Sequence, residues 1–424
     1  MSSRLRNRVV VVSTVLVAVL LMGALLGKSA AEDGAYKQLA VYTEVLSHIK
    51  GDYVEEPDLK SVTLGAVNGL LESIDPFASY LNADQYKEYQ KNKGAQQGGV
   101  GLVLSKRFGY VGVVDAIPGS PAAKAGLTTG DMVESISGVA TRDMPLAYAE
   151  MLLQGKPGTT VEISVLSVRH PEPKKITLTR AVIEYPKVEY KMLPGEIGYV
   201  KAEAMVPGTA ADLASAVQKL EQQGAKKLIL DLRNSSAGTP EEGIQAANLF
   251  QEHGLISYLQ GQRVPRRDFE ADPAKAVTKL PMVVLTNRGT ANGAEIVAAA
   301  LLDNKRAEVV GERTYGDAAL RRPITMDDGG AIILSVAKYY SPGGKAIQDT
   351  GVTPTHQVSE SESLGEIGEE EAPEEEPPPT PPEEDPILKK GIEVLTKGAQ
   401  AAGDAQRAAL AAQPAGTPQH GPNP

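Results

Sequence analysis

Residues Pro281 to Arg321, PMVVLTNRGTANGAEIVAAALLDNKRAEVVGERTYGDAALR, constrain this chain more than any other stretch. An apolar strand over Met282 to Leu285 leads into a turn rich in Asn, Gly and Thr, then a helix over about Gly293 to Leu302, then a second strand ending at Gly311. A side chain at that first turn sits at a strand end facing a helix N-terminus, where backbone N–H groups can hold an anion or an acyl oxyanion. It is a position for a nucleophile, yet the residue there is Asn292. A carboxamide has no proton to lose to a base. Asn292 reads instead as an N-cap, with Glu295 three residues on suited to reciprocal capping. The nearest hydroxyl, Thr290, has no Lys or His close by in sequence and reads as a turn residue.

Asn287, Gly289, Ala291, Glu295 and Ile296, followed by Gly311, Glu312, Thr314, Tyr315 and Gly316, fit the frame N-x-G-S-A-S-A-S-E-I and then G-E-x-T-[FY]-G-K. In this the chain resembles the C-terminal processing peptidases, or tail-specific proteases, serine enzymes that use a Ser/Lys dyad. The resemblance places the family's serine at Asn292, its lysine at Asp317 and its supporting glutamine at Arg321. Asp231 to Gly238, DLRNSSAG, stands against the family's D-L-R-x-N-P-G-G, so the oxyanion-loop positions fall on Ala237, Gly238 and Gly293. There Ser236 and Ala237 replace Pro and Gly. A Ser/Lys dyad works only when a neutral amine in a dry pocket takes the serine proton. With all three positions substituted, the resemblance implies a catalytically degenerate member.

At 424 residues the chain has room for two or three domains. Its formal charge of −10 is local: from Glu360 to Asp385 there are twelve acidic residues and no basic one. The remainder is near neutral, and no basic stripe points to nucleic acid. With no cysteine, disulfides, thiol catalysis and cysteine metal sites are excluded. Five histidines, at 48, 170, 253, 356 and 420, show no metal spacing, and nothing calls for a cofactor. At the N-terminus, Arg4, Arg6 and Arg8 precede an apolar run over residues 9–26 and then small residues. That pattern predicts export, with an inner-membrane anchor favoured over a cleaved signal and the body on the periplasmic side.

Taken in order, 1–31 is the signal or anchor segment and 32–95 a helical region with apolar positions Leu39, Val41, Val45, Leu46 and Ile49. Asp52-Tyr53-Val54 and Ile74 to Leu81 resemble the family's helical signatures. Residues 96–181 resemble a PDZ domain, a small partly open β-barrel with two helices. It combines the loop Gly99-Val100-Gly101-Leu102, able to offer N–H groups to a peptide carboxylate, with the run from Ser120 to Asp131. From 182 to 358 strands alternate with helices. These include an amphipathic helix over Ala210 to Gln222, an apolar strand over Lys227 to Leu232, and a helix begun by Thr239-Pro240 and ending near His253. Near the end, Asp327-Asp328-Gly329-Gly330 marks a hairpin, with strands over Ile324 to Met326 and Ala331 to Tyr339. The fold expected is an α/β core of the processing-peptidase type, a parallel or mixed sheet with crossover helices. Residues 359–424 read as an acidic, Pro-rich disordered tail with a short helix near Ile387 to Leu395.

The expected function is therefore a pseudopeptidase that binds protein or peptide C-terminal tails through its PDZ domain, with a partner peptidase or adaptor as a further associate. One alternative is a live endopeptidase whose nucleophile has moved to Thr290, Ser235 or Ser236. Another is an envelope scaffold acting through the acidic tail.

Overall fold

A computed structural model describes residues 33–92, 98–107, 109–142, 144–167, 170–360 and 385–397. The apolar run at 9–26 and most of the acidic segment lie outside the described residues. Among the described residues no helix is long and apolar enough to cross a membrane. The chain divides into two units, one ending at Val67 and the other beginning at Asn68.

The first unit holds helix α1 (Asp33–Asp52) and most of α2 (Leu59–Glu72). Leu39, Val41 and Val45 of α1 are exposed, so the apolar periodicity that marked this helix does not correspond to a buried face.

In the second unit the last turn of α2 buries Leu71. The expected all-helical region is then interrupted by a strand, β1 (Ser79–Leu81), before α3 (Ala83–Asn92). Three residues after Asp75-Pro76-Phe77-Ala78 carry no strand signal of their own; they are extended because they pair, antiparallel, with Ala331 to Ile333 far along the chain. Helix α3 is capped reciprocally, Asn82 Oδ1 accepting from Gln85 N at 3.0 Å and Gln85 Oε1 from Asn82 N at 3.1 Å.

The PDZ region runs through β2 (Leu102–Arg107), β3 (Tyr110–Ala116), the short α4 (Pro121–Lys124), β4 (Met132–Ile136), β5 (Val139–Ala140), α5 (Leu146–Leu153), β6 (Thr160–Ser167) and β7 (His170–Thr179). Its sheet has the order β2-β3-β4-β6-β7, with β5 on β4, so β2 is an edge strand. Val111 and Val113, Val161, Ile163 and Val165 alternate inward, as do Val133 and Ile136 on either side of a register shift, and they close one core with Leu146, Ala149 and Leu153 of α5. Ser120 starts α4, its Oγ accepting from Ala123 N at 3.2 Å. Gly101, at φ 80°, lies so close that a Cβ there would sit 2.2 Å from Ser120 Cβ.

The core follows with β8 (Glu189–Leu193), β9 (Ile197–Lys201), β10 (Ala204–Met205), α6 (Thr209–Gln222), β11 (Lys227–Asp231), β12 (Ala237–Gly238) and α7 (Pro240–Asn248). Next come β13 (Leu255–Gln260), β14 (Arg267–Glu270), β15 (Met282–Thr286), α8 (Gly293–Asp303), β16 (Ala307–Gly311), β17 (Ala319–Thr325), β18 (Ala331–Tyr340), β19 (His356–Gln357) and α9, residues 386–397. The central sheet has the order β19-β16-β15-β11-β9-β8 and is parallel except where β8 joins β9. Strands β1, β18, β13, β14 and β17 form a separate antiparallel sheet. Helix α7 ends at Asn248 rather than near His253, because the Asn248 side chain turns to exchange hydrogen bonds with the Asp272 backbone at 2.9 and 2.8 Å. Strand β17 begins at Ala319, five residues before its expected start at Ile324, drawn out by pairing with β18 as far as Lys338.

Continuous apolar runs in β11 and β15 serve both faces of the sheet. Leu228, Leu230 and Val284 pack with α6, α7 and α8, whereas Ile229, Val283 and Leu285 pack with Ile387 and Leu395 of α9. The helix placed in the tail by its sequence thus supplies the second cover of the core sheet. Arg233 fixes its start: the guanidinium bonds Asp231 at 2.6 Å and reaches Asp385 Oδ1 and Oδ2 at 2.9 and 2.7 Å.

Candidate active site

The turn after β15 is tied down residue by residue. Asn287 Oδ1 accepts from Asn234 N and Gly289 N, both at 3.0 Å, while its Nδ2 donates to Asn234 Oδ1 at 2.7 Å and Glu360 Oε1 at 2.9 Å. Thr290 is buried; its hydroxyl donates to Leu232 O at 2.8 Å and accepts from Asn287 N at 3.1 Å. Ala291 N donates to Ser235 O at 3.0 Å, joining this turn to the loop after β11. These bonds hold Asn292 at φ 56°, ψ −120°, on the left-handed side of the backbone map.

Asn292 caps α8 only in part. Glu295 Oε2 accepts its N–H at 3.0 Å, but its own side chain makes no cap hydrogen bond, so only half of the reciprocal arrangement is made. Instead Nδ2 donates to Gly238 O at 3.2 Å, and Oδ1 is buried with no hydrogen-bond partner.

Glu295 joins the two ends of the site. Its Oε1 accepts from Gly316 N at 2.7 Å and from the Thr314 hydroxyl, and Oε2 accepts from Asp317 N at 2.8 Å as well as from Asn292 N. One carboxylate oxygen therefore holds the backbones of residues 292 and 317. Burial pushes Glu295 up to about 7, against the pull of the Thr314 hydroxyl and the Asp317 and Gly316 N–H groups.

Asp317 and Arg321 form an ion pair with each other. The guanidinium also lies over the Phe77 ring, 4.0 Å from its centroid, with Nε buried and unpartnered. Arginine is not deprotonated in a protein, and the Asp317 carboxylate is engaged by it. At the oxyanion loop, Ala237 and Gly238 form β12 against β10. Gly238 has φ 122°, and a Cβ there would lie 2.0 Å from Met205 O, so glycine is required. At Gly293 a Cβ would meet Thr239 O at 2.4 Å. Glu295 and the Asn292–Gly238 bond thus bring these positions together, and they present a carboxamide and an ion pair, neither a hydroxyl nor a neutral amine.

Residues 196–358 match Peptidase family S41 and residues 112–167 match a PDZ domain. The carboxy-terminal-processing protease of Bartonella bacilliformis is 31% identical over 330 residues, covering 76% of this chain and 75% of that protein. The carboxy-terminal processing protease CtpA of Bacillus subtilis is 32% identical over 333 residues, 78% of this chain and 71% of that protein. The chain belongs to the carboxy-terminal processing protease family. A solved photosystem II D1 C-terminal processing protease has the same fold, with TM-score 0.62 and 28% identity over 75% of this chain and 86% of that one.

In this carboxy-terminal processing fold the loop Gly99 to Gly101 leads into β2. Gly99 N is taken by Ala181 O at 2.8 Å, and the carbonyls of Val100 and Gly101 accept from Ala122 N and Ile117 N at 2.9 and 2.8 Å. The N–H groups of Val100 and Gly101 meet no acceptor among the described residues. Of the other hydroxyls considered as nucleophiles, that of Thr290 is committed to the turn, and Ser235 Oγ is buried without any partner and therefore without a base. Ser236 Oγ donates to Asp115 Oδ2 at 2.8 Å, a contact from the oxyanion loop to β3 of the PDZ domain. Burial pushes Asp115 up to about 6, opposed by hydrogen bonds from Ser236 and Ala116 N. Local sequence could not have found this pair, since its members are 121 residues apart. The same holds for Arg321 on Phe77 and Glu360 on Asn287.

Proposed function

We propose that this carboxy-terminal processing homologue binds protein C-terminal tails through its PDZ domain and does not cut them. The Asp317–Arg321 ion pair carries the reading: proteolysis by a Ser/Lys dyad needs a hydroxyl and a neutral amine, and Asn292 beside a guanidinium-paired carboxylate supplies neither. Two free N–H groups in the carboxylate loop and the unpaired edge of β2 support the binding half. A partner peptidase or adaptor would then act on what is held. The basic-then-apolar pattern of residues 1–31 supports a location outside the cytoplasm, with 9–26 as an inner-membrane anchor or, alternatively, a cleaved export signal.

The test is incubation of the protein with an unfolded protein and with apolar-tailed peptides, scored for cleavage and for binding. Binding without cleavage, lost when the peptide C-terminus is amidated, is expected. Cleavage that survives Asn292→Ala overturns the proposal. A second reading, a live enzyme with Ser236 as nucleophile and Asp115 as base, is favoured only by their 2.8 Å bond, and Ser236 is buried. It predicts cleavage abolished by Ser236→Ala.

A further inference from the structure

The chain carries two Asn-Gly pairs, Asn68-Gly69 and Asn292-Gly293. Such a pair can react with itself: the glycine nitrogen attacks the carboxamide carbon of the asparagine, and a five-membered imide closes as ammonia leaves. The attacking nitrogen must first swing to the side of Cα on which Cβ stands, and neither helix nor strand puts it there. Around the Cα–C bond of an L-residue Cβ stands about 120° from N in the negative sense, so at ψ −120° the Asn292 backbone makes the Gly293 nitrogen eclipse Cβ. Only rotation of the carboxamide about the Cα–Cβ bond then separates the two reacting atoms. Asn68 lies within α2, where a helical ψ of about −42° turns the next nitrogen about 80° away from Cβ.

The turn is held in this conformation from both sides, by Ala291 N on Ser235 O and by Asn292 N on Glu295 Oε2, each at 3.0 Å. Its neighbours meet the remaining requirements. A Cβ at position 293 would lie 2.4 Å from Thr239 O and 3.0 Å from Met205 Cβ, so packing demands glycine, which has no side chain to shield its nitrogen. The Gly293 N–H, at the start of α8, meets no acceptor among the described residues, whereas the Gly69 N–H serves the α2 ladder. On the carboxamide, Oδ1 has no donor, and Nδ2, the group that must leave, is held by one bond to Gly238 O at 3.2 Å.

We infer that Asn292 is a site of self-modification, set by the fold to lose its amide. The Gly293 nitrogen bonds to Asn292 Cγ, the Cγ–Nδ2 bond breaks, and the nitrogen leaves as ammonia, the proton it gains balancing the one lost from the Gly293 N–H. Water then opens the imide at either carbonyl, leaving an aspartyl residue or its β-linked isomer at position 292. The product has no donor for Gly238 O, and a carboxylate against that carbonyl is repelled, so the tie from this turn to β12 is lost.

The experiment incubates the full chain at neutral pH, native and in urea, and follows by peptide mass spectrometry the mass gain that marks an amide turned to an acid at each Asn-Gly pair. Asn292 should convert about tenfold faster folded than unfolded, because the fold has already oriented the reacting atoms. Asn68 should convert more slowly folded than unfolded, its neighbour's nitrogen being held in the helix. Asn292 that converts no faster in the native protein than in urea overturns the inference, whatever Asn68 does. A chain broken after residue 292 also overturns it, since the side-chain nitrogen would then have attacked the backbone carbonyl instead. The result is independent of tail binding and of cleavage.

Discussion

Asn292 carries two burdens at once: a non-glycine residue at φ 56° and a buried amide oxygen with no donor. Such a backbone costs on the order of 1 kcal/mol, and an unsatisfied buried acceptor about 1–3 kcal/mol. Asn292→Gly should therefore be more stable than Asn292→Ala by about 1–2 kcal/mol in urea unfolding, since only glycine relieves the backbone. Equal stabilities would mean that the turn is unstrained. At Asp115 the sign of the pH dependence follows from the raised carboxyl. Its contribution to stability is fully present below the ordinary aspartate value of 3.8 and is lost as pH rises to about 6. Asp115→Asn should remove that decline, on the order of 2–3 kcal/mol, from unfolding measured across this window. A slope unchanged by the substitution assigns it to other groups.

Among the elements, α9 is the one whose importance its sequence conceals. It lies beyond an acidic, Pro-rich stretch and is twelve residues long, 386–397, yet Ile387 is fully buried against Val283, Leu285 and Val310. A parallel sheet needs both faces covered, and α6, α7 and α8 cover only one. Ile387→Ala should cost about 2–5 kcal/mol, read as a lowered unfolding midpoint at unchanged slope. A cost below about 0.5 kcal/mol would show that the helix merely rests on the sheet. Strand β1 makes the related point. Its residues give no local signal, and pairing with β18 creates it.

At the scale of the whole molecule, the PDZ domain, the α/β core and most of the element order could be read from the chain. Each depends on residues adjacent in sequence: apolar periodicity, glycines at fixed offsets, a cap three residues from its partner. What the sequence left open depends on residues brought together from afar. Only the fold pairs Ser236 with Asp115, seats Arg321 on Phe77, and runs one Glu295 carboxylate to both residues 292 and 317. Backbone propensity and motif spacing act over a few residues, whereas a hydrogen bond or a shared cavity across a hundred residues exists only once the sheets have fixed their order. The amino-acid types therefore told which side chains stand at residues 292, 317 and 321; the packing decided what they are held against.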